Sequence, residues 1–455
     1  MDFADLDYRV RTRSGCIPPE LVSRLLDHGH AAVVEEWAGR GEWFCALVWA
    51  RLLGERGRQT DALAVLAPYA ATGWWTVVEA TAELLEGWGR IEEAIETVRA
   101  RMAVGHPMAL EAYTRLLSRH GRAAEAFTML LPHADEWTLA TTLVDVAAVA
   151  GRDEEAAALL AARMRADHRC DGPWCCGLDS DTALGLLATI RERQGRIDEA
   201  VTLLRRRQIT SVNSRDQLAD LLARHGRIEE LRAYAATDGH EEALQRLAEL
   251  LEECGDVEGA IAVFGQTGGP AAWNPNSAYE LAQLLARHGR GDEAIAVMRA
   301  QADAHPGDDW ILHTLSELCL AQGRPSDGLA HLDALAARCG GEVEWELFWM
   351  RLPLIAACSG VDEAVERARA HPEGATWYAA EHIARLLADA GRTEEAVTVL
   401  QQHDRRNNHD LAGCLIDLGR VEEAVAILVH TSPPPPLVPT APAWSGEPSP
   451  RCGDD

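Results

Sequence analysis

Residues 278–302 read AYELAQLLARHGRGDEAIAVMRAQA, two apolar-striped segments joined through a glycine. Leu281, Ala282, Leu284 and Leu285 recur at the i, i+3, i+4 spacing that turns one face of a helix toward a core, and Ala294, Ile295, Val297 and Met298 do the same after the break. Gly289 stands where a helix end needs a left-handed residue, a conformation that an L-residue enters at a loss of roughly 1–2 kcal/mol. Arg287 and His288 precede it, where cationic groups suit the negative end of the helix dipole. Asp292 and Glu293 follow, in the first turn of the next helix, where acids are favoured. Every local signal predicts a helix–turn–helix pair.

The pattern returns along nearly the whole chain. Its punctuating glycines are Gly57, Gly89, Gly121, Gly151, Gly195, Gly226, Gly255, Gly289, Gly323, Gly360, Gly391 and Gly419, and Gly29 reads as a degenerate first cycle. The mean step is about 33 residues, the period of a helix-pair solenoid. Arg follows ten of the twelve glycines; Gly255-Asp256 and Gly360-Val361 are the exceptions, and the Gly360 cycle is one residue short at its turn. Seven positions before the glycine stands a small residue (Ala50, Ala82, Ala188, Ala219, Ala248, Ala282, Ala384, Ala412). Five positions after it stands another (Ala62, Ala94, Ala126, Ala156, Ala200, Ala260, Ala294, Ala396, Ala424). Small residues at both slots let the paired helices approach closely.

Period, glycine and paired alanines together resemble the tetratricopeptide repeat, over roughly residues 30–430, in a divergent form like that of actinobacterial-type members of the family. The large aromatics of that family are mostly aliphatic here, its closing Pro is clear only at Pro306, and Leu231 replaces the second-slot Ala in the Gly226 cycle. The resemblance implies an all-α fold, a right-handed α-α superhelix of about 12–13 helix pairs. The expected organisation is a polar arm over 1–18, a solenoid over 19–430 and a disordered Pro-rich tail over 431–455. The solenoid is interrupted by an insertion at 166–182, an irregular loop at 265–277 and extra residues around Cys339–Glu344.

Composition limits function. The chain has 455 residues, 47% of them apolar and only 5% aromatic, and all 43 basic residues are arginine. A formal charge of −28 opposes duplex nucleic acid and anionic membrane surfaces as partners. No run approaches 18 unbroken apolar residues and the first residues lack a signal-like stretch, so the expectation is a cytoplasmic protein. Eleven scattered Cys read as reduced, buried small hydrophobes.

No GxxxxGK[ST], HExxH or GxSxG motif is present, and the reading is of a non-enzyme. Within the insertion, His168, Cys170, Cys175 and Cys176 could wrap a zinc ion, but adjacent cysteines and the lack of a CxxC pair make a plain loop with free thiols the favoured reading and no cofactor the expectation. His120, His225 and His288, each within Arg-His-Gly-Arg, read as helix-end residues that recur with the repeat rather than as a ladder of ligands. Trp74, Trp75 and Trp273 flank loops and are candidate partner anchors.

The resemblance places first helices on an inner face, with the residues ten and six positions before each glycine pointing there. These are Glu79 and Glu83, Glu111 and Arg115, Thr141 and Asp145, Asp216 and Asp220, Gln245 and Glu249, Tyr279 and Gln283, His313 and Glu317, and Glu381 and Arg385. The set leans acidic, which suits a protein or peptide partner of basic character; the carboxylate-clamping variants of the family rely on cationic grooves that this chain lacks. Two expectations follow: a scaffold receiving an extended peptide on that face, or a regulatory or sensory module acting with a separate effector such as a transcription regulator or ATPase, hinged at Gly265–Ser277. A metal-dependent enzyme built on the Cys-rich insertion ranks last.

Overall fold

The computed structural model describes residues 3–13, 15–102, 108–163, 177–207, 216–237, 241–265, 274–306, 308–338, 344–403 and 407–429. Among these the regular elements are helices, and the β-type contact is an isolated bridge between Glu136 and Gly177. After a lone helix Phe3–Thr12 come thirteen helix pairs among the described residues, from Pro19–Asp27 with Ala31–Gly39 to Asn408–Asp417 with Val421–Val429, and one short extra helix, Trp345–Phe348, ahead of Leu352–Ser359. The all-α solenoid of helix pairs is therefore what the chain builds.

The pair first quoted shows how the sequence makes the unit. Asn274 caps helix Pro275–Arg287 by accepting the Asn276 N–H, and Pro275 takes the first helical position, where its missing N–H does no harm. The helix ends in a two-bond cap: Arg290 N–H donates to Leu285 O at 2.8 Å and Gly289 N–H to Ala286 O at 3.1 Å. Gly289 has φ +74°, yet a Cβ built on it would meet nothing within 4 Å, so the backbone dihedral and not crowding demands glycine. All twelve punctuating glycines have positive φ, and Gly29 joins them at +81°. Gly360 differs: its φ of 97° with ψ of 159° lies outside the left-handed helical region, in a conformation open essentially to glycine, in keeping with its shortened turn.

The arginine after the glycine has a job that helix-dipole reasoning did not assign. Arg290 donates to Glu293 in helix Gly291–Ala304 at 2.6 Å through both Nε and Nη2. The same i, i+3 pair forms at all nine other Gly-Arg turns, from Arg58–Asp61 to Arg420–Glu423. Where Asp256 replaces the arginine it caps directly, its carboxylate accepting the Gly259 N–H at 2.9 Å. Either residue holds the first turn of the second helix, which is why the chain allows only that exchange without reshaping the turn.

Packing follows the small-residue slots. Each second-slot alanine, from Ala62 to Ala424, is 0% exposed. Second helices pack on the next first helix, as Gly291–Ala304 does on Asp309–Ala321, and first helices pack on first helices, as Ala109–Arg119 does on Trp137–Ala150. A clamp recurs at the ends of these joints. Glu86 accepts from Arg119 (2.8 Å) and lies 2.8 Å from His120; Glu192 meets Arg224 (2.9 Å) and His225 (3.0 Å); Glu252 meets Arg287 (2.8 Å) and His288 (2.7 Å). The Arg-His-Gly-Arg histidines are thus neither a ligand ladder nor mere helix ends: each reaches back one repeat to a glutamate three positions before the previous glycine. The arginine contact is the main force holding Glu86 and Glu252 below the ordinary glutamate range. At Glu192 burial pushes upward, but Arg224 and His225 outweigh it.

The chain divides into two compact units, Val78–Ala390 and the combination of Met1–Val77 with Gly391–Asp455. Inside the second of these, the first repeat packs on the last. Helix Pro19–Asp27 lies against Asn408–Asp417; Arg24 donates to both carboxylate oxygens of Asp417 at 2.6 and 2.5 Å, and His28 stands 3.3 Å from the same group. Gly413 leaves room for this approach: a Cβ there would lie 3.0 Å from Arg24 Nη1 and 3.7 Å from Leu21.

Three regions differ from what the sequence suggested. The polar arm contains helix Phe3–Thr12, laced by Asp5–Arg9 and Asp7–Arg11 pairs at 3.0 Å, with Leu6 buried at 4% exposure. The helices flanking the 265–277 loop, Val257–Phe264 and Pro275–Arg287, stack directly within one unit, so no division of the chain falls at that expected hinge. In the insertion, Leu178 N–H donates to Asp135 O at 2.6 Å and Asp179 caps helix Ser180–Arg193 through the Thr182 N–H; residues 164–176, with His168, Cys170, Cys175 and Cys176, lie outside the described residues. So do residue 273 and the tail beyond 429.

Candidate functional site: the face of the first helices

Thirteen of the sixteen sequence-selected positions meet three different fates. Glu79 and Glu83 are exposed along Trp75–Gly87, as is Asp145 on Trp137–Ala150. Four pairs bond within their own helix at i, i+4: Glu111–Arg115 at 3.0 Å, Gln245–Glu249 at 3.2 Å, His313–Glu317 at 3.3 Å and Glu381–Arg385 at 3.1 Å. Arg115 also crosses to Asp145 on the next first helix at 3.2 Å.

Asp216 and Asp220 are placed otherwise. Both are buried, at 4% and 9% exposure. Helix Gln217–Arg224 starts nine positions before Gly226, where Pro275–Arg287 starts fourteen before Gly289, so Asp216 becomes its N-cap, accepting the N–H groups of Leu218 and Ala219 at 3.1 and 3.0 Å. Aspartate suits that position better than any helix interior, and local chemistry overrides the register. Asp220 faces Arg246 Nε of helix Glu241–Glu253 at 3.5 Å. These two carboxylates are parts of the fold, and the acidity facing a partner is smaller than the sequence count suggests.

One repeat on, the register that opposes Asp220 with Arg246 opposes Glu249 with Glu280. Burial first, and then the Glu249 charge, raises the Glu280 carboxyl above its ordinary range.

From Tyr279 onward the face changes character. Tyr279 meets Trp310 edge-on with ring centroids 6.4 Å apart. Trp310 and His313 follow at i, i+3 on helix Asp309–Ala321. His313 lies 5.1 Å from Trp349, and Trp349 lies 4.6 Å from His382 on helix Trp377–Asp389. The rings thus run across four successive repeats. Their bases are anchored, since Tyr279 and Trp349 pack against the core cluster, while Trp310 remains 41% exposed. Burial lowers the affinity of His382 for a proton, and its Nδ1 lies 2.8 Å from Tyr378 O and 3.3 Å from the Trp345 indole nitrogen.

Register selected Tyr279 and His313 but passed over Trp310, Trp349 and His382. A signal was present: Trp310 stands one turn before His313, on the same side of the helix. Trp74 and Trp75, by contrast, are 4% and 8% exposed, with Trp74 packed edge-on to Trp43 at 4.7 Å. They are core residues and not partner anchors.

Among the described residues no group of three or more His, Cys, Asp or Glu side chains is arranged to hold a metal ion, and no helix is long and apolar enough to cross a membrane.

Glycine-capped helix pairs joined by back-reaching clamps define a helix-pair repeat protein. The tetratricopeptide repeat family matches residues 285–338. The match supports a divergent tetratricopeptide-repeat reading of the helix pairs. No curated protein matches it. Among solved structures it is similar to a chain described as "Structure of Naa15/Naa10 bound to HypK-THB", with 15% identity, TM-score 0.45, and coverage of 93% of this chain and 67% of that one. It is also similar to a chain of the "APC/C hetero-tetramer Cut9-Hcn1" (11% identity, TM-score 0.28, 77% and 71% covered). A third is a tetratricopeptide repeat protein from Parabacteroides merdae (14% identity, TM-score 0.27, 64% and 98% covered).

Proposed function

We propose that this protein is a non-enzymatic scaffold that holds a protein or peptide partner along the face of its first helices. The observation that carries the reading is the composition of that face. Successive repeats turn exposed carboxylates (Glu79, Glu83, Asp145, Glu317) and partly exposed rings outward, while the alanines between the helices are fully buried. Stacked repeats characteristically use such an extended surface for recognition. A net charge of −28 steers basic partners toward it.

The test is quantitative affinity capture from lysate with the full chain, comparing wild type with the triple variant Glu79→Arg, Glu83→Arg, Asp145→Arg. Asp216 and Asp220 are left intact because their substitution would disturb the fold. Loss of a discrete set of partners in the variant supports the reading, and an unchanged set removes it.

A further inference from the structure

We propose that the run of rings from Tyr279 through Trp310, His313 and Trp349 to His382 is a docking surface for an extended peptide carrying arginine side chains. This deepens the scaffold reading and rests on it, naming the part of the face and the chemistry of the partner.

The first argument is geometric. First helices of adjacent repeats lie roughly 8–10 Å apart, so a run over four repeats spans about 30 Å, the length of an extended peptide of about nine residues. The rings do not form one closed core. Trp310 is 41% exposed, the His313 side chain is 40% exposed, and the contacts between neighbours are edge-on or tilted, which leaves faces and edges presented along the run.

The second argument comes from the molecule's own habits. Elsewhere this lysine-free chain lays a guanidinium over an aromatic ring: Arg40 on Trp37 at 4.7 Å, Arg56 on Trp49 at 5.4 Å, Arg152 on Phe127 at 5.1 Å and Arg351 on Phe348 at 5.6 Å. Among the described residues no guanidinium covers Trp310 or Trp349. The attraction is electrostatic, between a cation and the negative face of the ring, and arginine's planar group also stacks.

The third argument is charge. Glu280 adjoins Tyr279 in the chain and faces Glu249, two carboxylates set against each other where the preceding repeat opposes Asp220 with Arg246. Asp309 and Glu317 flank Trp310 and His313, both exposed. Glu249 already accepts from Arg246 at 2.7 Å, and a guanidinium arriving beside Glu280 supplies a countercharge to the carboxyl that burial and Glu249 raise. His382, whose buried ring is held toward the neutral form, adds no repulsion.

The experiment uses the full chain and a fluorescein-labelled ten-residue peptide of five Gly-Arg repeats, read by anisotropy, beside the same peptide with citrulline in place of arginine and a synthetic peptide of residues 431–446. Binding of the arginine peptide, loss with citrulline, and a weakening of about five- to thirtyfold in Trp310→Ala are expected. Trp310→Leu, which keeps apolar area but no aromatic face, should weaken binding comparably, and circular dichroism should show both variants folded. Glu280→Gln should also weaken it. Equal binding of arginine and citrulline peptides, or full affinity in Trp310→Leu, overturns the inference. So does preference for the Pro-rich 431–446 peptide. If the arginine peptide fails to bind while lysate capture still responds to reversal at Glu79, Glu83 and Asp145, the aromatic proposal falls and the scaffold reading stands; if capture is also indifferent, both fall.

Discussion

Two joints in this molecule use the same chemistry across very different distances along the chain. Between neighbouring repeats, Glu252 receives Arg287 and His288, 35 and 36 residues away. Between the first repeat and the last, Asp417 receives Arg24, 393 residues away, and His28. In each case a carboxylate near the end of one first helix takes an arginine and the histidine directly before the turn glycine of another. The last repeat meets the first as a preceding neighbour would. The registers differ, however: the arginine stands two positions before the glycine at Gly289 but five before it at Gly29, and the acid three positions before Gly255 but two before Gly419. Neighbour joints are copies of one another, whereas the joint of the ends was fitted separately. End repeats of a solenoid usually need a polar capping surface; here each end covers part of the other.

The apolar half of this comparison carries the largest expected effect. Leu21 and Leu281 occupy the same register, eight positions before Gly29 and Gly289, and are 2% and 3% exposed. Truncation of each to alanine should cost about 2–5 kcal/mol, by equilibrium urea unfolding of the full chain. Part of the cover over Leu21 comes from Asn408–Asp417, where a Cβ at Gly413 would lie 3.7 Å from it, so the full cost depends on the joint of the ends. A cost under about 1 kcal/mol for Leu21→Ala, with Leu281→Ala in range, would break the equivalence of the two joints.

The turn glycines come next. Gly289 and Gly29 sit at φ +74° and +81° with open space around the missing Cβ. Alanine should therefore destabilise both by about 1–2 kcal/mol, and asparagine by clearly less, since it tolerates the left-handed region. Larger side chains should add little to the alanine penalty. A steep rise from Ala to Leu in thermal melts would mean crowding, contrary to the geometry.

The charges at the joints follow. A double-mutant cycle on Arg24 and Asp417 should yield a coupling of about 0.5–1 kcal/mol, and one on Arg287 and Glu252 about the same or less, both shrinking in added salt because the arginines are half exposed. Zero coupling at Arg24–Asp417 beside a measurable one at Arg287–Glu252 would make the joint of the ends an apolar contact only.

How far the sequence could be read follows the same division. Helix pairs, turn glycines and buried alanines were legible because each is dictated by residues close in the chain and repeated a dozen times. The clamp was half legible: Arg-His-Gly-Arg stands out, but its glutamate lies in the previous cycle and becomes visible only when cycles are superposed. The joint of the ends left no trace, since it pairs unlike registers across the whole chain. The candidate face fared worst. A fixed register cannot foresee that Asp216 will be taken as a helix cap, or that a tryptophan three positions off the register will complete a run of rings.

The smallest effect tests the clamp through pH. Arginine contacts hold Glu86 and Glu252 below the ordinary glutamate range, and Glu192 lies below it despite its burial. A group whose folded pKa is depressed contributes its stabilisation above its unfolded value, near 4.3, and loses it as pH falls through the folded one. The difference in unfolding free energy between wild type and Glu252→Gln should thus be fully present at about pH 5. It should shrink below that, by less than about 1 kcal/mol because the pair is partly solvated. The same titration of Asp417→Asn compares the joint of the ends directly. If the Glu252→Gln difference grows rather than shrinks on acidification, the carboxylate is destabilised by its surroundings and Arg287 does not hold it.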